Sequence, residues 1–299
     1  MYKCVLWGMG VESGNMIKAI KYDELCGNLK VLGITSEITS YKAYLGYPYI
    51  HKEDLTRTAF DIILVLGGRK TFYSIQREAV EMGIKEEYII PYSVLLKEGT
   101  SIERYIALKS NPPTIISNNC WGAYTYQTLY LKYTSPFIYT YIMDDVHYIK
   151  LLQKPEYYME QSISYKKNGY NFGENKEYPI YDCGDIELHF FHATNRDDVI
   201  ECWERRKRRI DWDNLFVMMY TESYQIADAF SQLPYKKKIC FVPFESKLSG
   251  VYTIPDRIRQ AYSDVFFWTM LNRMALGRIL YYDAVDLLHD GVIRCIGEL

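Results

Sequence analysis

The stretch 114–127 limits most what this chain can fold into. A short apolar run, Thr114-Ile115-Ile116, stops in Ser117-Asn118-Asn119-Cys120-Trp121-Gly122, and helical spacing resumes at Tyr126, Leu129 and Tyr130. A strand that becomes a helix through a polar loop leaves side-chain amides and unpaired backbone N–H groups at one end of a sheet. That end is where α/β proteins bind ligands. Ser117, Asn118, Asn119 and Trp121 are therefore candidate substrate-binding residues.

The same pattern recurs upstream. Residues 3–7 are apolar, Gly8-Met9-Gly10 is a turn, and residues 12–20 have helical spacing with Met16, Ile17 and Ile20 on one side. A second apolar run covers 30–34 and a third 61–66, the latter ending in Gly67-Gly68-Arg69. A helix is expected over 73–83, stopped by Gly83, and Ile89-Ile90 before Pro91 forms a short last strand. Strands that alternate with helices give a parallel sheet covered on both faces. Ser110-Asn111-Pro112-Pro113 then interrupts the pattern, because consecutive prolines neither donate to a ladder nor continue a helix. The expectation is a two-domain α/β protein, with residues 1–109 as a first parallel-sheet domain and 110–299 as a second α/β domain on a mostly parallel or mixed sheet.

The blocks Val5-Leu6-Trp7-Gly8-Met9-Gly10, 31–34, 46–50 and 61–65 resemble the small Rossmann-like domains of bacterial capsule and nucleotide-sugar enzymes. The resemblance implies a diphosphate cradled by the glycine turn and an acid near the end of the second strand on the ribose hydroxyls. Gly8, Gly10, Gly14, Glu37 and Gly68 are the residues it points to. Their spacing departs from G-x-G-x-x-G by one residue, and Thr35-Ser36 precede Glu37. Two readings stay open: a nucleotide or sugar-nucleotide site, or a fold kept without its ligand.

In the second domain, Asp144-Asp145 opens a helical pattern where acids complement a helix N-terminus. Residues 165–177 read as a turn-rich excursion, and 178–181 with 185–191 as a hairpin across Cys183-Gly184. Thr194-Asn195 caps a helix to about residue 209. Strands follow over 215–220, 238–242 and 250–254, with a helix over 222–230 and a helical tail over 257–288. The blocks 116–122, 134–137, 148–152, 184–189, 203–206, 209–217 and 233–237 resemble a bacterial family of unknown function whose members are often labelled exopolysaccharide-biosynthesis proteins. That resemblance implies a pathway context and no mechanism.

Several residues are candidates for chemistry. The block Arg205-Arg206-Lys207-Arg208-Arg209 followed by Asp211, Asp213 and Asn214 has the densest charge in the chain. Three readings bear on it: a solvated helix end whose cations complement the dipole, a clamp in which Arg205, Arg206 and Arg209 grip a phosphate or sugar acid, and a nucleic-acid contact, which the acidic neighbours and the balanced net charge disfavour. Asp211-Trp212-Asp213 has the D-x-D form of metal-dependent glycosyltransferases, although here the strand follows the acids, and pairing of Asp211 with nearby arginines is the competing reading. His189 is a candidate general base, or a satisfied structural histidine. His189 and His192 are three apart on an extended chain, so alternation sends them to opposite faces and no metal is assigned to them. Cys120 stands at a helix start, where the dipole favours a thiolate, with no local partner.

Bulk properties bound the function. A net charge of -2 gives no general attraction to nucleic acid or anionic lipid. No apolar run approaches the roughly 20 residues that cross a bilayer. The N-terminus lacks a signal-peptide pattern, and the seven scattered cysteines contain no Cys-x-x-Cys pair, so a reducing, cytoplasmic location is expected. Thirty tyrosines suit sugar stacking, but a compositional bias of the genome yields the same excess. The expected partner is an anionic sugar or nucleotide-sugar, with no nucleic acid and no membrane insertion. Cofactor, metal and oligomeric state stay unassigned. The protein is expected to transfer or bind an activated sugar; the alternative is a non-catalytic sensor or scaffold.

Overall fold

The computed structural model describes residues 1–37, 42–96, 100–171, 174–193, 195–261, 267–275 and 282–294. The chain divides into two compact units, Met1–Asn111 and Pro112–Leu299. Thr194 and Gly173, named above in a cap and a turn, lie outside the described residues, as do parts of the 257–288 tail.

The first unit alternates strands and helices. Strands β1 (Tyr2–Trp7) and β2 (Leu29–Thr35) are joined by helix α1 (Val11–Leu25). A small hairpin, β3 (Ala43–Tyr44) and β4 (Tyr47–Pro48), precedes β5 (Ile62–Val65), helix α2 (Arg69–Glu81) and β6 (Ile89–Pro91). Helices α3 (Tyr92–Leu95) and α4 (Ile102–Ser110) complete it. The sheet runs β2-β1-β5-β6, and every neighbouring pair is parallel. All four residues of β5 are buried, as expected of a strand covered on both faces. Helix α2 buries Phe72, Ile75 and Ala79, one stripe at helical spacing. It begins at Arg69, four residues before the start expected from the sequence, because Gly68 serves as its N-cap.

In the second unit β7 (Thr114–Ser117) leads into α5 (Trp121–Thr128), followed by α6 (Asp145–Gln153) and α7 (Pro155–Glu160). Three antiparallel strands come next: β8 (Ile163–Asn171), β9 (Lys176–Cys183) and β10 (Ile186–His189). Helix α8 (Arg196–Lys207), β11 (Leu215–Tyr220), α9 (Tyr224–Ser231), β12 (Lys238–Val242) and β13 (Val251–Thr253) follow. Helices α10 (Asp256–Ala261), α11 (Phe267–Ala275) and α12 (Ala284–Asp290) lie in the tail. The parallel sheet runs β13-β12-β11-β7, so this unit holds one parallel and one antiparallel sheet.

Residues 165–171 and 176–177 are strand rather than a turn-rich excursion. Most of β8 is exposed, so it carries little of the apolar alternation that reveals a strand in sequence. The core of the second unit gathers Trp203, Tyr148, Phe230 and Leu188 around β11 and β12. The hydroxyl of the fully buried Tyr148 lies 2.8 Å from the carbonyls of both Ile116 and Met218, tying β7 to β11 through their interior. Asp144 caps α6 by accepting from the N–H groups of Val146 and His147.

Candidate functional site

The strand order of the first unit reverses between β1 and β5: the chain leaves β1 for one side of the sheet and returns on the other. At such a point the loops after the strands part and leave a crevice. A cleft of about 840 Å³ opens there, lined by Trp7, Gly8, Gly10, Glu37, Leu66 and Gly68 among others. Gly8 has φ +128°, and a Cβ on it would stand 2.6 Å from the Leu66 carbonyl oxygen, so the turn after β1 requires glycine. Gly10 differs. A Cβ there would meet nothing within 4 Å, so no protein atom fills the space in front of it.

Gly10 is the N-cap of α1 and Gly68 that of α2, and neither helix has a side-chain cap bond. Two helix N-termini with uncapped first-turn N–H groups thus border one cleft, each carrying about half a positive charge. Arg69, Lys70 and Thr71, on the first turn of α2, add cations and a hydroxyl to the wall. Sequence reasoning missed these three, together with Ser36 and Ser74. Their signal was the Gly67-Gly68 pair read as a turn ahead of the helix instead of as its cap.

Gly14 is not part of the site. It lies inside α1, a Cβ there would meet nothing within 4 Å, and it does not line the cleft. The third position of G-x-G-x-x-G is held by buried Ser13, whose N–H donates to the Gly10 carbonyl at 3.1 Å. Glu37 stands exposed on the rim and pairs with Lys52, which also reaches Glu78 at 2.5 Å and sits 5.3 Å from the centre of the Trp7 ring. Burial draws the Lys52 ammonium down, but the two carboxylates outweigh it and hold its pKa above the ordinary amine value.

The loop after β7 is packed inward. Ser117, Asn118, Asn119 and Trp121 are all buried to 1 % exposure or less. Asn118 donates from Nδ2 to the Tyr220 carbonyl at 3.1 Å and accepts the Tyr220 N–H at Oδ1, bracing β7 against β11. Asn119 accepts from the Trp121 N–H at 2.8 Å and donates to Asn118, and Ser117 Oγ donates to the Asn119 carbonyl at 2.7 Å. The Trp121 indole N–H donates to the Tyr282 hydroxyl at 2.7 Å, with its ring stacked on Phe216. The amides that the sequence offered to a ligand are used by the loop itself.

The other candidates separate. Asp211, Asp213 and Asn214 precede β11, whereas Asn118 follows β7; in a parallel sheet these are opposite ends, separated by the length of β7, about 15 Å at roughly 3.3 Å per residue. Asp211 shapes a turn: its N–H donates to Thr114 Oγ1 and its carboxylate accepts the Asp213 N–H at 3.1 Å. Asn214 accepts from Lys237 at 3.2 Å. Arg205 and Arg209 are exposed, and helix α8 ends at Lys207, so Arg209 lies beyond the helix. Arg206 is half-buried, donates to the Ile138 carbonyl at 2.9 Å, and lines a smaller cavity of about 190 Å³ whose wall lacks Asn118. His189 is buried at the end of β10, its Nδ1 3.2 Å from the Tyr178 hydroxyl, and burial lowers its pKa. The amide loop and the arginine block therefore do not share one hollow. Among the described residues no group of three or more His, Cys, Asp or Glu is arranged to hold a metal ion, and no helix is long and apolar enough to cross a membrane.

Two α/β units, the first with a cleft at the strand ends, define the class of protein. The chain belongs to the family of the domain of unknown function DUF1919, whose model matches residues 92–288. Residues 1–90 match the C2185-like N-terminal domain. The chain is also similar to an uncharacterized protein of Haemophilus influenzae, 29% identical over 179 residues that cover 58% of this chain and 81% of that protein.

Proposed function

We propose that the first unit is Rossmann-like in function and binds a nucleotide-activated sugar. The diphosphate rests on the N-termini of α1 and α2, and the ribose hydroxyls meet Glu37. The observation that carries this reading is the convergence of two helix N-termini without side-chain caps, at Gly10 and Gly68, on one cleft that also holds Arg69 and Lys70. Backbone N–H groups and helix dipoles recognise phosphate oxygens without a metal, and the two cations add charge. Trp7, Leu66 and Ile75 supply apolar wall for a base, and about 840 Å³ suits a ligand of this size.

The biological setting we propose is bacterial surface-polysaccharide synthesis in the cytoplasm, where activated sugars are made and used. It rests on the blocks of residues 116–237 that resemble proteins so labelled. Titration calorimetry with UDP- and GDP-sugars, with and without manganese, tests the binding. Saturable heat that falls about tenfold in affinity in Lys70→Ala or Arg69→Ala supports it, whereas absence of heat with every nucleotide rejects it.

Binding without sugar transfer is the second reading, and one observation favours it. Of the two acids suited to a metal-assisted transfer, Asp211 spends its carboxylate on a turn ahead of β11, where it accepts the Asp213 N–H. Asp211→Asn and Asp213→Asn then leave nucleotide affinity unchanged and abolish no turnover.

A further inference from the structure

The loop after β7 keeps one reactive group that its packing does not explain. Cys120 is the N-cap residue of α5, and its Sγ lies 3.7 Å from Nε2 of His192, which is 72 residues away in sequence. The other ring nitrogen, Nδ1, lies 3.9 Å from Oε1 of Glu174. Thiol, imidazole and carboxylate follow one another in the order of a nucleophilic triad, with the base facing sulfur through one nitrogen and the acid through the other. Tyr139 stands edge-on to the His192 ring at 5.0 Å, with its own backbone at φ 57°, and fixes the plane of the imidazole. The Tyr141 hydroxyl bonds to the thiol, and Asn272 bonds to Tyr141. The Asn272 side-chain carbonyl is buried with no hydrogen-bond partner among the described residues.

We propose that Cys120 and His192 are catalytic residues for acyl transfer, with Glu174 as a positioning residue, acting on a short acyl group carried by a thioester or activated ester. The cavity of about 190 Å³ against His192, with Cys120 behind the imidazole and not on its wall, is the entry assigned to the donor, with Ile138, Phe190 and Val199 as apolar wall and Asn195 and Arg206 as polar groups. In the first half-reaction the Cys120 proton passes to His192 Nε2 and Sγ attacks the acyl carbon. A carbon–sulfur bond to Cys120 forms, the bond to the donor's sulfur or oxygen breaks, and that leaving atom takes the proton from Nε2. In the second half a hydroxyl, of water or of an alcohol, gives its proton to Nε2 while its oxygen attacks the Cys120 thioester. Sulfur leaves and recovers the proton, so no oxidant or reductant is consumed.

The electrostatics fit a neutral resting pair. Burial pushes the Cys120 thiol up to about 12, so sulfur keeps its proton until a base takes it. Burial also lowers His192, with Glu174 opposing and Lys176 assisting, so the imidazole is neutral near pH 7 and able to accept. Lys176 in turn lies 2.6 Å from Glu174 and lowers that carboxyl, keeping it charged. The groups facing His192 are thus Cys120, Glu174, Lys176 and Tyr139, with Asp198 and Arg206 across the cavity. Cys120 is fully buried, so reaction requires the donor to enter past His192. Buried thiols without a base are inert, and the histidine is what separates this one from them.

This inference stands independently of nucleotide binding in the first unit. The full chain is incubated with p-nitrophenyl acetate, p-nitrophenolate release is followed, and the acetyl group is located by peptide mass spectrometry. The expected result is acetyl on Cys120, with release reduced about 100-fold or more in Cys120→Ala and His192→Ala and partly restored to the latter by added imidazole. Glu174→Gln slows release and moves its pH inflection lower, because the charge that raises His192 is gone. Acetyl found only on other residues, undiminished release in a folded His192→Ala, or no rescue by imidazole overturns the proposal. Should the Cys120 variant fail to fold, iodoacetamide on the native wild type decides: labelling of Cys120 that abolishes release supports the triad, and labelling only after unfolding overturns it.

Discussion

The turn after β1 and the turn after β7 occupy equivalent places, each following a strand of a parallel sheet and starting a helix, yet they are used in opposite ways. Gly8-Met9-Gly10 leaves space, and the N-terminus of α1 borders a large cleft. Ser117-Asn118-Asn119 fills its own space and satisfies its own donors. A polar loop at the end of a strand therefore has two outcomes, and side-chain volume selects between them. Glycine carries no side chain that could fill or close the turn, and only the Gly8 N–H is spent, on the Thr35 carbonyl at 3.0 Å, whereas asparagine and serine carry the partners that close their own loop.

The contrast can be broken at four points. Trp121→Ala removes a fully buried indole and its bond to Tyr282, and should cost the second unit about 3–5 kcal/mol in urea unfolding while leaving nucleotide affinity at the first unit intact. Asn118→Ala strands the buried Tyr220 N–H and carbonyl and should cost about 1–3 kcal/mol by the same measurement. Stability close to wild type in both would mean that the loop is not the brace described above.

In the first unit two glycines separate fold from ligand. Gly8→Ala is expected to destabilise by about 1–3 kcal/mol, from its positive φ and the approach of Leu66. Gly10→Ala should leave melting nearly unchanged but weaken nucleotide binding about tenfold, or about 1.4 kcal/mol. Equal behaviour of the two variants in calorimetry would erase the distinction between the turns.

The smallest effect lies on the surface of the second unit. Lys150 and then Tyr158 hold the Asp185 carboxyl down to about 2. Its folded pKa is below the unfolded value of roughly 3.9, so the contribution is fully present above that pH and lost as pH falls towards 2. Asp185→Asn should lower stability slightly at pH 7, flatten the acid-unfolding profile in that window and leave stability below it unaltered. Being fully exposed, the pair is screened by salt, and the difference should shrink as salt is added.

Much of the architecture was legible because it rests on apolar runs. β5, β11 and β12 are short, mostly buried strands, and their sequences say so. β8 was illegible for the opposite reason: exposed positions such as Tyr165, Lys166 and Lys167 show no inward face. The glycine turn and Glu37 could be placed at one cleft from their positions after β1 and β2. The first turn of α2 could not, because a helix start without a side-chain cap leaves only the Gly67-Gly68 pair as its signal, and such a pair marks a turn equally well.

The second unit shows the limit more sharply. Asn118 looks the same in sequence whether its amide faces water or Tyr220, and only the register of β7 against β11 decides. Arg206 and Asp211, five residues apart, go to different tasks once α8 stops at Lys207. Cys120 showed no partner among its neighbours because His192 and Glu174 reach it through the antiparallel strands, across a distance that no spacing rule spans.

β8 lies at the border of the antiparallel sheet, where a row of hydrogen-bonding groups faces outward and invites another chain to attach. Lys166 and Lys167 stand midway along that border, Lys166 held by Asp182 and Glu187. Attachment there would strip water from both cations and oppose like charges across the new seam. The lysines of the long exposed strand that the sequence hid thus set a desolvation cost against a further strand pairing along it.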